Sequence, residues 1–307
     1  MYQFTIIIPH KNIPHLLRRC LDSIPKREDL QIIVVDDNSN LSEEEFNNFP
    51  GINEKNTEVY FTREGKGAGY ARNIGLEHAK GKWILFADSD DMFMPEIEII
   101  FESIKNKDYD IIFFDICSKD SITIKENNES LYFNNCIINH QNGISIKYKW
   151  EVPWGKIINK TLLDYNNIEF EETQCCNDAR FSIMCDFYSK KINVIPIKAY
   201  CWMFRNDSLW HKKNIKWAEI RFNVFLRIAK FMRKKNTELF DIYNKKSHMY
   251  LNMTLNFSKR SYIKCLIKYG LHLKSINILL VLVPKTIVYF LFKYITNKII
   301  TSKMAIK

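Results

Sequence analysis

The first 116 residues alternate short apolar runs with stretches of helical spacing, and few folds accommodate that rhythm. Phe4 to Ile8 is an apolar run ending at Pro9, after which Ile13, Leu16, Leu17, Cys20, Leu21 and Ile24 recur with the period of one buried helix face. Gln31 to Val35 is a second run, closed by Asp36 and Asp37. Glu58 to Thr62 predicts a third strand and Ala68 to Ala79 a helix; Trp83 to Ala87 predicts a fourth strand and Pro95 to Ile104 another helix; Ile111 to Phe114 predicts a fifth strand. Repeated strand–helix units of this size predict an α/β fold, a mostly parallel sheet with flanking helices.

Beyond this region the pattern loosens. Ser118 to Gln141 is polar and Asn-rich and predicts a hairpin or an ordered loop, while Val194 to Phe204 has strand character. After residue 208 the composition changes: 21 Lys and Arg stand against 3 Asp and Glu, whereas the preceding residues hold 24 against 32. The expected organisation is an α/β domain over 1–208, with a first half at 1–116 and a second at 117–208, followed by a basic helical extension over 209–307. Ile220, Val224, Ile228 and Phe231 share one face of its first helix.

Ile276 to Phe292 is apolar but only 17 residues long and broken by Pro284 and Lys285, the lower edge of what spans a bilayer. Flanking lysines with Phe290, Phe292 and Tyr294 suit a helix lying at the headgroup level; a hairpin docked on the core is the alternative. The eight cysteines show no metal-like spacing and read as cytosolic thiols. Met1 to Pro9 has no charged leader or cleavage site, so a cytoplasmic location is expected, peripheral on the inner face of the membrane.

Chemistry concentrates at the ends of the predicted strands. Asp88-Ser89-Asp90-Asp91 follows a strand at the edge where open α/β sheets bind ligands. Carboxylates so close repel one another unless a cation intervenes, and hard oxygen donors suit Mg²⁺ or Mn²⁺; a solvated turn is the plainer reading of such a run taken alone. Asp36-Asp37-Asn38-Ser39 ends another strand of the same sheet and faces the same crevice, unless it only closes its strand with an Asx-turn. Gly65-Lys66-Gly67-Ala68-Gly69-Tyr70-Ala71-Arg72-Asn73 leads into a helix. Its glycine spacing matches neither the dinucleotide fingerprint nor the P-loop, but it leaves room for backbone amides near a phosphate, with Lys66 and Arg72 to balance the charge.

Taken together and in this order, Ile6-Ile7-Ile8-Pro9 with Asn12, Val34-Val35-Asp36-Asp37-Asn38-Ser39, Gly69-Tyr70-Ala71-Arg72-Asn73-Ile74-Gly75 and Phe86-Ala87-Asp88-Ser89-Asp90-Asp91 resemble the motifs of family 2 glycosyltransferases with the GT-A fold, which extend bacterial surface polysaccharides. The resemblance covers about the first 115 residues. It implies an inverting, metal-dependent enzyme with a DXD motif, using Mn²⁺ or Mg²⁺ to move a sugar from a nucleotide-diphosphate donor, UDP-linked in the first instance, to a hydroxyl of a glycan or lipid-linked acceptor. It also implies roles. Pro9 and Asp37, with Asp36 close by, line the nucleoside pocket; Arg72 meets the base or diphosphate; Asp88 lies at the ribose and Asp90 on the metal. The base is the aspartate of an acidic pair, here Asn177-Asp178, in which Asn177 departs from the pattern. Asp178 taken by itself also reads as a helix N-cap. Trp154, in Val152-Pro153-Trp154-Gly155-Lys156, resembles an acceptor-side aromatic but equally reads as core, and Arg205 resembles a diphosphate contact but equally reads as a structural pair. His10 and Lys11 replace the family's usual small residue and Tyr.

The alternative kept open is a catalytically inactive member of the fold that binds sugar nucleotides or scaffolds at a membrane. Nucleic acid is not an expected partner, because the basic region lies on apolar helices with few aromatic stacking platforms.

Overall fold

The structure is a computed structural model in which residues 2–139, 146–205 and 214–273 are described. The chain divides into two compact units, Met1–His211 and Lys212–Lys307.

The first unit is built on one eight-stranded sheet. Its strands are β1 (Phe4–His10), β2 (Leu30–Asp37), β3 (Thr57–Thr62), β4 (Trp83–Phe86), β5 (Met92–Phe93), β6 (Ile111–Asp120), β7 (Lys156–Asn159) and β8 (Ile192–Phe204), in the order β3-β2-β1-β4-β7-β6-β8-β5. The first four pair parallel, with Ile6 opposite Ile32 on one side and Leu85 on the other. β7 enters antiparallel between β4 and β6, β8 runs parallel to β6, and β5 pairs antiparallel with β8. The central strands are buried throughout, as expected where a sheet has both faces covered.

Helices α1 (Pro14–Asp22), α2 (Glu43–Asn47), α3 (Ala68–His78), α4 (Ile97–Ile104), α5 (Leu131–Asn139), α6 (Lys160–Asn166) and α7 (Asn177–Tyr188) complete this unit. α1 starts with Pro14 in its first turn, where the missing N–H costs nothing, and buries Leu17, Cys20 and Leu21. α3 lies so close to β1 that a Cβ at Gly75 would fall 2.3 Å from Ile7 Cγ2.

The strand–helix alternation is found as expected through residue 104. The fifth predicted strand, Ile111 to Phe114, continues to Asp120 because β8 pairs alongside it, with register shifts on either side of Asp115. Where a hairpin or an ordered loop is expected over Ser118–Gln141, the described residues 118–139 hold a turn and a helix. Asp120 Oδ1 accepts from the amides of Ile122 and Thr123, a bridge joins Lys119 to Glu126, and α5 follows with Cys136 and Ile137 buried. Asn and Tyr residues of low helix propensity mask this helix in the sequence.

The second unit contains α8 (Ile215–Met232), α9 (Thr237–Leu255) and α10 (Lys259–Leu273). Phe222, Leu226, Leu251, Cys265, Leu266 and Tyr269 form its core. In α8 Val224 and Ile228 are buried as expected, but Ile220 and Phe231 are only partly so, and the buried surface extends to Trp217, Phe222 and Phe225. No helix among the described residues is long and apolar enough to cross a membrane. The Ile276–Phe292 segment lies outside them.

Candidate active site

Pro9, Asp36, Asp37, Asp88 and Asp90 lie at the C-terminal ends of β1, β2 and β4. Pro9 is buried opposite Val35. Beside it, Asp36 is engaged within the protein: His10 Nδ1 is 2.7 Å from Asp36 Oδ2, and the Ser39 amide and hydroxyl also donate to this carboxylate. The Ile13 amide donates to His10 Nε2 at 3.1 Å, which leaves the ring proton on Nδ1, pointing at Asp36. These bonds hold Asp36 below the usual carboxylate range against the opposing effect of burial. Asp36 is thus held by His10 and Ser39 at the end of β2.

Asp37 is different. Its Oδ2 accepts from the Gly67 amide at 2.9 Å and lies 3.3 Å from Lys11 Nζ, while its Oδ1 is buried without a hydrogen-bond partner. A buried acceptor left open is costly unless a ligand completes it. Lys66, by contrast, is exposed; it pairs with Glu64 and lies 4.4 Å above the Tyr70 ring.

The acidic run separates its three carboxylates. Asp91 turns inward, where Oδ2 accepts from the Tyr200 hydroxyl at 2.6 Å and Oδ1 from the Met203 amide at 2.7 Å; burial, with Asp90 and Asp88 nearby, pushes its carboxyl well up. Asp88 and Asp90 stay partly exposed. Asp88 Oδ1 accepts from Arg72 Nη2 at 2.6 Å, and Asp90 Oδ2 is 3.1 Å from Arg205 Nη2. Burial raises the Asp90 pKa, Asp88 adds to the rise, and Arg205 opposes it. Arg19 donates to the Asp90 carbonyl at 2.6 Å and fixes the turn from α1.

Arg72 is only 4% exposed and reaches further than the motif suggested: its Nη1 donates to Asn177 Oδ1 at 2.8 Å. Asn177 opens α7, and Asp178 follows in the same first turn, which excludes the N-cap reading because the cap position belongs to Cys176. Desolvation pushes Asp178 up to about 6, with Arg72 the leading influence that holds it down and Asp88 and Glu151 adding to the rise. The nominal phosphate loop thus has another use at Gly69, where an added Cβ would lie 2.2 Å from the Glu171 carbonyl oxygen and 2.9 Å from Asn177 Cβ. This glycine lets α3 press against the α7 entry.

Trp154 is packed among Phe133, Trp150, Trp202 and Tyr200, with the Tyr200 ring stacked on it at 5.7 Å. At 5% exposure it offers no open face for a sugar, so the core reading holds. Residues the motifs did not single out are Tyr200, which ties the acidic run to β8, and Arg19. Long-range strand pairing brings Tyr200 there, opposite Phe93 of β5 and Ile116 of β6.

Among the described residues no three His, Cys, Asp or Glu side chains are grouped to hold a metal. Asp90, partly buried at the sheet edge, nevertheless fits a divalent cation that would take its remaining ligands from a bound diphosphate. One or two carboxylates plus substrate oxygens is the usual arrangement for Mg²⁺, and the burial and neighbouring Asp88 charge that raise Asp90 are what such a cation offsets.

A mostly parallel sheet with this acidic edge and a facing carboxylate on α7 has the architecture of a GT-A nucleotide-sugar transferase. The chain belongs to glycosyl transferase family 2, whose family model matches residues 5–163 of its 307. The glycosyltransferase GlyG of Streptococcus pneumoniae is 26% identical over 245 residues, 72% of this chain and 77% of GlyG. GlyA of the same organism is 33% identical over 113 residues; this match covers 36% of the chain and 16% of the much longer GlyA. In fold, TarS 1–349 of S. aureus in complex with UDP-GlcNAc matches with a TM-score of 0.65 at 20% identity, over 88% of this chain and 81% of that one.

Proposed function

We propose that this glycosyltransferase is inverting and metal-dependent and moves a sugar from a UDP-linked donor to a hydroxyl of a glycan or lipid-linked acceptor in surface polysaccharide synthesis. The observation that carries this reading is the place of Asp178 in the first turn of α7, next to Asn177, which Arg72 joins to Asp88 of the acidic run; desolvation pushes its carboxyl up to about 6. A base of that strength is ionised at neutral pH yet basic enough to take a proton.

In this reading Asp37 Oδ1 accepts an N–H from the nucleobase, beside Pro9, and Asp88 bonds the ribose. Asp90 holds the cation, with Arg205 released toward the diphosphate. When bound, Mn²⁺ or Mg²⁺ neutralises charge on the departing nucleoside diphosphate. Asp178 removes the acceptor hydroxyl proton as that oxygen attacks the anomeric carbon from the face opposite the leaving group, so the configuration inverts. The unit Lys212–Lys307 carries the basic region, and we assign it to the cytoplasmic face of an anionic membrane, where a lipid-linked acceptor would be met.

Nucleotide release from UDP-, GDP- and dTDP-sugars, measured with Mn²⁺, with Mg²⁺ and with EDTA, tests the reading. It requires metal-dependent release from one donor and loss of transfer in Asp178→Asn with donor binding retained. Full transfer by Asp178→Asn refutes the base, and undiminished release in EDTA refutes the metal.

A further inference from the structure

Three ties join α3 to the segment that leads into α7. Asn73 bonds Phe170 twice, donating to its carbonyl at 3.0 Å and accepting from its amide at 2.8 Å. Gly69 leaves no space between α3 and the backbone at Glu171. Arg72 reaches Asn177 Oδ1, and the other end of that amide faces the Thr173 carbonyl at 3.4 Å, which sets its orientation.

At this end of α7 the Asn177 carbonyl accepts from the Glu171 amide at 3.2 Å. Cys176, at its N-cap, has φ of 53°, in the left-handed region that non-glycine residues rarely occupy, and its side chain makes no capping bond. The first turn is therefore placed by this backbone bond together with what α3 presents to Asn177. Arg72 has the shape to place it, because its guanidinium is a planar fork, 4% exposed, with one arm on Asn177 and the other on Asp88, and Phe170 packs 5.2 Å from its charge.

We propose that Arg72 is a positioning residue: through Asn177 it fixes the first turn of α7, and with it Asp178, relative to the donor-side carboxylate Asp88. The inference rests on the base reading of Asp178. It gives Asn177 a role of its own. Because this partner is a neutral amide, Asp88 is, among the described residues, the one carboxylate bonded to the Arg72 guanidinium, whose positive charge also acts on Asp178. The charged groups acting on Asp178 are Arg72 from α3, Asp88 after β4, Glu151 ahead of β7 and Lys156 on β7. Arg72 favours the ionised form; Asp88 and Glu151 oppose it.

The test has two arms on the full chain. In the first, the protein is isotope-labelled at its aspartate carboxyls, and the Asp178 resonance, assigned by its loss in Asp178→Asn, is titrated by NMR without any donor. Arg72→Gln should raise the midpoint by roughly 1 pH unit, whereas Arg72→Lys and Asn177→Ser, which keep the charges, should leave it near the wild-type value. In the second arm, release of nucleotide from UDP-glucose, UDP-galactose and UDP-GlcNAc is followed in Arg72→Lys and Asn177→Ser. For Asn177→Ser a fall in kcat of about 10- to 100-fold with donor KM within about twofold is expected, because the base is displaced while Arg72 keeps its bond to Asp88; Arg72→Lys should lower kcat as well.

A midpoint unchanged in folded Arg72→Gln, or wild-type kcat in Asn177→Ser, overturns the proposal. Should Arg72→Gln not fold, the two charge-keeping variants decide. Undiminished turnover in Asp178→Asn would instead refute the base itself, so the two failures are distinguishable.

Discussion

The Tyr200 hydroxyl joins Asp91 to Asp88: it donates to Asp91 Oδ2 at 2.6 Å and accepts from the Asp88 amide at 3.0 Å. All three groups belong to the acidic turn after β4 or to the strand that braces it, and Tyr200 is fully buried. Tyr200→Phe removes both bonds at once and leaves the Asp91 carboxylate with the Met203 amide as its named donor. The expected loss is about 2–3 kcal/mol of folding stability, because a buried polar group is left short of partners. Urea denaturation of the two proteins measures it, and a change below about 0.5 kcal/mol would mean the turn is held by other means.

Asp178 carries a stability cost that follows from its chemistry. Its folded pKa is pushed up to about 6, above the ordinary carboxyl value of 3.8. The stability it contributes is therefore present when both states are protonated, below about pH 4, and is lost as pH rises through about 6. Asp178→Asn should be more stable than the wild type by about 1–3 kcal/mol at pH 7.5 and should match it near pH 4. Paired denaturation curves at the two pH values check this, and no difference at the higher value would mean that Asp178 is not desolvated.

Asp37 makes the opposite kind of prediction. Its Oδ1 is buried and unmatched, so Asp37→Asn removes little that holds the folded protein together but puts the wrong group toward a nucleobase N–H. Stability should change by less than about 1 kcal/mol, while the Kd for UDP should rise about tenfold or more, the order of one charge-assisted hydrogen bond. Calorimetric titration of UDP into both proteins measures it; equal affinities would take Asp37 out of the nucleoside pocket.

Much of this was legible in the sequence where periodicity carries the information. Strands β1, β2 and β4 follow from local apolar runs, and they bring Pro9, Asp37, Asp88 and Asp90 to one edge. What could not be read was the direction of each side chain. Asp88, Asp90 and Asp91 are equivalent in a row of letters; Asp91 turns inward because β8 places Tyr200 and the Met203 amide beneath it. Asn177 read as a departure from a pattern, and only the arrival of Arg72, 105 residues earlier in the chain, shows what it bonds. Trp154 read equally as a sugar platform or as core, since the rings that enclose it come from α5 and β8.

Gly69 and Gly75 allow the contact between α3 and α7 to be tested apart from the stability of α3 itself. Both lie on α3, and an added methyl at either meets an obstacle, the Glu171 carbonyl oxygen at 2.2 Å for Gly69 and Ile7 Cγ2 at 2.3 Å for Gly75. Overpacking of this kind costs about 1–3 kcal/mol, so both Gly69→Ala and Gly75→Ala should lower the unfolding midpoint. Only Gly69→Ala pushes α3 away from the entry of α7 and lengthens the Arg72–Asn177 bond, because Gly75 faces β1. At a temperature where both variants are folded, Gly69→Ala should lose about 100-fold in nucleotide release, the scale of an ångström-sized displacement of a catalytic group, and Gly75→Ala should remain within about threefold of the wild type. Equal activity in the two would mean that the spacing between α3 and α7 does not control the base.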